Sequence, residues 1–153
     1  MPLRIVDADF NQLVHRQGLV KILDEYARLP HIGGRGLSED VLANLTDRLA
    51  TIPGRQILLA VDDECVVGVA VCFEGFSTFA GQRLLNIHDL AVTVDYRGQG
   101  VGTMLLDAVA KRARELGCCR VTLEVASDNS GAKKLYERSG FGMTQEFWKK
   151  ELD

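Results

Sequence analysis

Three glycines at alternate positions, Gly98, Gly100 and Gly102, run straight into an apolar helical pattern that begins at Val101. Inside a helix glycine is worth roughly 0.5–1 kcal/mol less than alanine. A chain that opens a helix this way therefore needs bare backbone where a side chain would obstruct something. The stretch Arg83 to Val94 just upstream reads as a long strand. Strand, glycine-rich turn and helix start together gather unpaired N–H groups at the positive end of a helix dipole, a natural seat for phosphate. Two common phosphate loops do not fit. A G-x-G-x-x-G fingerprint needs a third glycine at position 103, which is Thr103, and the G-K-[ST] ending of a Walker loop is missing.

The rest of the chain supplies a frame for that loop. "LRIV" (3–6) reads as a strand, with Asp7 or Asp9 as a cap for a helical segment between Phe10 and Leu29. "PHIGGRG" (30–36) is a loop, and Ser38 caps a second helix whose stripe is Val41, Leu42, Leu45 and Leu49. After Pro53-Gly54 the period changes. "QILLAVDDECVVGVAVCFEGF" predicts two strands joined by a tight turn at Asp62-Asp63-Glu64. Helices over Val101–Leu116 and Asn129–Ser139 then alternate with strands over 119–125 and 143–152. The predicted order β-α-α-β-β-β-α-β-α-β fits one domain, residues 1–153, whose 46% hydrophobic content can fill a core.

Charge and cysteines narrow the function classes. With 18 basic and 21 acidic residues the chain lacks the basic excess that nucleic-acid binding requires. No apolar run approaches the roughly 18 residues of a membrane span, and the acidic start of "MPLRIVDADF" does not read as a secretory signal. A cytoplasmic protein without membrane or nucleic-acid partners is the expectation. Cys65, Cys72, Cys118 and Cys119 form no C-x-x-C pair, so reduced structural cysteines are expected rather than a metal site. His15 is expected on a solvated helix face.

Two segments together carry a family resemblance. "LAVTVDYRGQGVGTMLL" resembles motif A of the GNAT superfamily of N-acetyltransferases, whose pattern [QR]-x-x-G-x-[GA] is met by Arg97, Gly100 and Gly102. "NSGAKKLYERSGF" resembles motif B, with Asn129, Ala132, Leu135, Tyr136 and Gly140-Phe141 in order. The resemblance spans about residues 56–142 and implies an α/β (α+β) GNAT fold, a mixed, mostly antiparallel sheet flanked by helices. It implies acetyl-CoA as cosubstrate and a primary amine, expected to be a small molecule, as acceptor in a ternary complex. A homodimer through the late strands is a further family trait.

Site residues follow from the same resemblance. The backbone of Leu90, Ala91 and Val92 would hold the pantetheine arm, and Arg97, Gly98, Gln99, Gly100, Val101 and Gly102 the pyrophosphate. Asn129 would contact the pantetheine or simply cap its helix. Tyr136 would donate a hydrogen bond or proton to the departing thiolate. An alkylamine of ordinary pKa near 10.4 is less than ~0.1% neutral at pH 7, so a base or water chain is needed. Family members commonly place Glu on the middle strand, where this chain has none. "FEGFSTFAGQRLLNIHDLAV" resembles the diamine and polyamine acetyltransferase branch, whose acidic pair before the pantetheine strand would fall here on His88 and Asp89, and a histidine is a competent base near neutral pH. Consecutive strand residues face opposite ways, so both reach one site only if a bulge intervenes. The rival readings are a catalytically silent acyl-CoA-binding module of the same fold, a protein N-terminal or lysine acetyltransferase, and a nucleotide-dependent oxidoreductase, which Thr103 opposes.

Overall fold

The computed structural model describes residues 3–152. The expected domain span of 1–153 includes Met1, Pro2 and Asp153, which lie outside the described residues. The elements are β1 (Arg4–Asp7), α1 (Leu13–Ala27), α2 (Glu39–Leu49), β2 (Arg55–Asp62), β3 (Cys65–Ser77), β4 (Gln82–Val92), a 3₁₀ turn (Val94–Tyr96), α3 (Val101–Glu115), β5 (Val121–Leu123) and α4 (Ser130–Arg138). The strands form one mixed sheet in sequence order, antiparallel throughout except for the parallel pair β4–β5. A parallel pair needs a long crossover, and α3 is that crossover.

Each sheet face carries its own core. On one face Leu19, Ile22 and Leu23 of α1 and Leu49 of α2 pack on Ile57, Leu59, Val69, Val71 and Ala91. On the other, Leu105, Leu106 and Val109 of α3 pack on Leu58, Ala60, Ala70, Cys72, Leu85 and Ile87. Burial on both faces explains why "ILLAV" of β2 is an unbroken apolar run rather than an alternating one. Gly18 does not interrupt α1. A Cβ there would lie 2.5 Å from Cβ of Val66, so the glycine is what lets the helix lie flat on β3.

Four local expectations are corrected. The N-cap of α1 is Gln12, neither Asp7 nor Asp9. Asp9 instead accepts from the Asn11 N–H (3.0 Å) and Gln12 Nε2 (3.2 Å) in the turn before the helix, and Asp7 ends β1 and pairs with Arg112 at 2.8 Å. His15 is buried rather than solvated, because its Nδ1 accepts from the Asp9 N–H at 2.9 Å and draws the ring under the turn. The strand expected over 119–125 shrinks to Val121–Leu123, with Cys118 and Cys119 before it. The strand expected over 143–152 does not form, and Met143, Phe147, Trp148 and Leu152 are exposed there. Strand propensity alone is insufficient: a strand forms only where a neighbour supplies a ladder, and no described strand pairs with 143–152.

Candidate active site

The loop leaving β4 has the conformation that its glycines imply. Gly98 and Gly100 adopt φ +73° and +86°, and a Cβ on either would meet nothing within 4 Å, so backbone torsion is what excludes side chains there. Gly102 serves packing, because a Cβ there would sit 3.0 Å from Cδ2 of Leu135 on α4, whose side chain would have to shift. The first backbone bond into α3 is donated by Met104 to the Gly100 carbonyl at 3.0 Å. Among the described residues the N–H groups of Gly98, Gln99, Gly100, Val101, Gly102 and Thr103 have no acceptor. Six free donors at the start of a fifteen-residue helix, two of them on glycines with positive φ, suit an anion. The flanking side chains turn back on the protein: Gln99 Nε2 donates to the Asp95 carbonyl (2.8 Å), and Arg97 Nε to that of Val92 (2.9 Å).

Upstream, β4 pairs with β3 as far as Val92 but with β5 only over Leu85–Ile87. From His88 to Val92 the β5-side edge has no strand partner among the described residues. Leu90, Ala91 and Val92, singled out in the sequence for their main chain, lie on this edge with their side chains in the two cores. The Val92 carbonyl is already taken by Arg97.

The bulge that His88 and Asp89 require is present. Ile87 lies opposite Cys72 and Asp89 opposite Val71, which leaves His88 as the extra residue. Its exposed ring stands edge-on to Phe73 with centroids 5.8 Å apart. Burial raises the Asp89 carboxyl above the ordinary carboxylate range, with His88 opposing the shift. Burial also pushes the Cys72 thiol up to about 12, helped by Asp89, so Cys72 stays a neutral core thiol.

Tyr136 sits on α4 with its ring edge-on to Phe141 at 5.9 Å. Burial, and then the neighbouring Tyr26, push its phenol up to about 12, so the hydroxyl keeps its proton and remains a donor. Tyr26 of α1 is itself raised by burial and then by Asp89. Tyr26 packs on the α1-side core and Tyr136 on the α3-side core, and the position of Tyr26 within the helical segment between Phe10 and Leu29 does not show that Asp89 acts on it.

Asn129 is brought to this end of the sheet as the N-cap of α4, its Oδ1 accepting from the Ala132 N–H at 3.1 Å. Lys133 donates to the Ser127 carbonyl at 2.6 Å. No cluster of three or more His, Cys, Asp or Glu suited to a metal occurs among the described residues, whose four cysteines are free. No described helix is long and apolar enough to cross a membrane.

Residues 19–141 match the Acetyltransferase (GNAT) family. The chain is 31% identical over 133 residues to a thialysine N-epsilon-acetyltransferase of Mus musculus, covering 87% of this chain and 71% of that enzyme. It is 37% identical over 76 residues to the Bos taurus enzyme of the same name, covering 50% of this chain and 44% of that one. The chain therefore spans less than half of the bovine relative. Among solved structures, one described as a probable acetyltransferase superposes with a TM-score of 0.79 at 29% identity, over 98% of this chain and 97% of that one.

Proposed function

Because the chain belongs to the GNAT acetyltransferase family, we propose that it moves an acetyl group from acetyl-CoA to a primary amine of a small molecule, by direct attack in a ternary complex. One observation carries the reading. The unpartnered edge of β4 leads through the short link Thr93–Arg97 to six free N–H donors, and Asp89 lies on that same stretch of β4. The residues present fit the cosubstrate. Gly98 and Gly100 bare the amides that would receive the pyrophosphate, with Gln99, Val101 and Gly102 contributing main chain, and Leu90 to Val92 offer an edge for the amide-bearing arm. Arg97 braces the loop, and Asn129 seats the start of α4.

Bound acetyl-CoA supplies the acyl group as an activated thioester. Tyr136 donates a hydrogen bond to the departing sulfur, strengthening as negative charge develops there. Asp89, a carboxylate held where its protonated form is favoured more than usual, receives the amine and takes its proton as nitrogen bonds to carbon. His88, exposed next to it, passes that proton to water.

Release of free thiol, followed across thialysine, diamines, polyamines, amino acids, aminoglycosides and a lysine peptide, tests the proposal. Small amines should turn over with higher kcat/KM than the peptide. The reverse order would make the protein a peptide acetyltransferase, and binding of CoA without any release would make it a silent module.

A further inference from the structure

Glu25 of α1 makes contacts far from its own helix. Its Oε2 accepts from Thr93 Oγ1 at 3.0 Å, and its Oε1 accepts from the Val94 N–H at 2.9 Å and from Arg97 Nη2 at 3.4 Å. Arg97 in turn donates to the Val92 carbonyl, so one carboxylate closes both ends of the segment Thr93–Arg97. That segment is the whole link between the open edge of β4 and Gly98, the first free donor of the anion seat. The carboxylate is 29% exposed and receives an N–H, a hydroxyl and a guanidinium, contacts that a surface glutamate has no reason to collect.

The charge is of the wrong sign for the neighbourhood. A negative group beside a seat for pyrophosphate opposes the ligand through space, so what it gives the site must be geometric. We propose that Glu25 is a positioning residue for the cofactor loop: it locks Thr93–Arg97 and thereby aims the N–H groups of Gly98–Thr103. This rests on the acetyl-CoA reading of the loop.

The sign of one measurement separates the roles. Calorimetric binding of CoA at 25 °C is compared for the parent, Glu25→Ala and Glu25→Gln. Positioning predicts about tenfold weaker binding for Glu25→Ala, the loss of roughly one charge-assisted hydrogen bond. Glu25→Gln, which still accepts from Val94, should recover most of the affinity. In the ligand-free Glu25→Ala protein, amides 93–103 should exchange hydrogen faster than in the parent. KM for acetyl-CoA should rise in that variant while kcat at saturation holds. A purely through-space role predicts tighter binding once the charge is gone, and a purely structural strut predicts a lower Tm with unchanged affinity. Equal or tighter CoA binding by Glu25→Ala overturns the proposal. Should that variant fail to fold, Glu25→Leu, which keeps the bulk and accepts from none of the three donors, replaces it, and parental affinity there overturns the proposal as well. A parent that does not bind CoA refutes the acetyl-CoA reading instead.

Discussion

Replacing Tyr136 with Phe isolates one hydroxyl. The ring keeps its edge-on contact with Phe141 and its place against the α3-side core, so packing and cofactor seat are left as they were. The magnitude depends on whether the phenol gives up its proton or only shares it. With the phenol pushed up to about 12 and an ordinary thiol near 8.5, complete transfer to the sulfur is uphill by about 5 kcal/mol. Sharing is the cheaper course. A hydrogen bond to a developing charge contributes about 1.5–3 kcal/mol, which corresponds to a fall in kcat of about 10- to 150-fold. The assay is thiol release at saturating acetyl-CoA and amine, with single-turnover measurements to establish that chemistry limits the rate, and calorimetry to show that CoA affinity is retained. An unchanged kcat under those conditions would return Tyr136 to the core. A loss beyond about 10³ would mean full proton transfer and refute the argument from the raised phenol.

Gly100→Asp places a like charge and a side chain in the anion seat at φ +86°, and calorimetry should show CoA affinity at least tenfold weaker than in the parent. Asp89→Asn should lower kcat/KM. It should also raise Tm, because a carboxyl whose folded pKa is elevated favours the fold at low pH and loses that contribution as pH rises through its folded value; the Tm gain should be present at pH 8 and vanish toward pH 4. His88→Ala should slow turnover in weak buffer and recover with added imidazole, which Asp89→Asn should not do. Gly18→Ala gains about 1 kcal/mol of helix propensity but drives a Cβ to 2.5 Å from that of Val66; overpacking of about 1–3 kcal/mol should win, and thermal denaturation should show a lower Tm.

Features encoded within a few consecutive residues were readable. The glycine loop announces both its positive φ values and its helix start inside six residues, and Ser38 caps α2 through a bond to the Val41 N–H at 3.2 Å, as its position suggests. Features created by packing were not. Glu25 and Tyr26 look like ordinary members of α1 until the sheet brings Thr93, Arg97 and Asp89 against them, more than sixty residues away in sequence. His15 looked solvated because its partner, the Asp9 N–H, belongs to a turn whose shape the periodicity of α1 does not carry. The tail from Met143 to Leu152 failed for the opposite reason. Its local propensity is for strand, but a strand exists only where a neighbour supplies a ladder.

The bulge at His88 ties these points together. Leu85 and Ile87 face α3, so strict alternation along β4 would turn Asp89 to that face too, among Leu58 and Cys72, where its charge would lack any partner. The extra residue inverts the phase. Asp89 now lies opposite Val71 and points with Ala91 toward α1, beside Tyr26. Pairing with β5 ends at Ile87 opposite Leu123, immediately before the extra residue, and bulged strands bend. The same inserted residue therefore coincides with the point at which β4 parts from β5. The open strand edge and the turn of the Asp89 carboxylate toward α1 both begin at one departure from alternation, and a reading built on alternation could name both residues without orienting either.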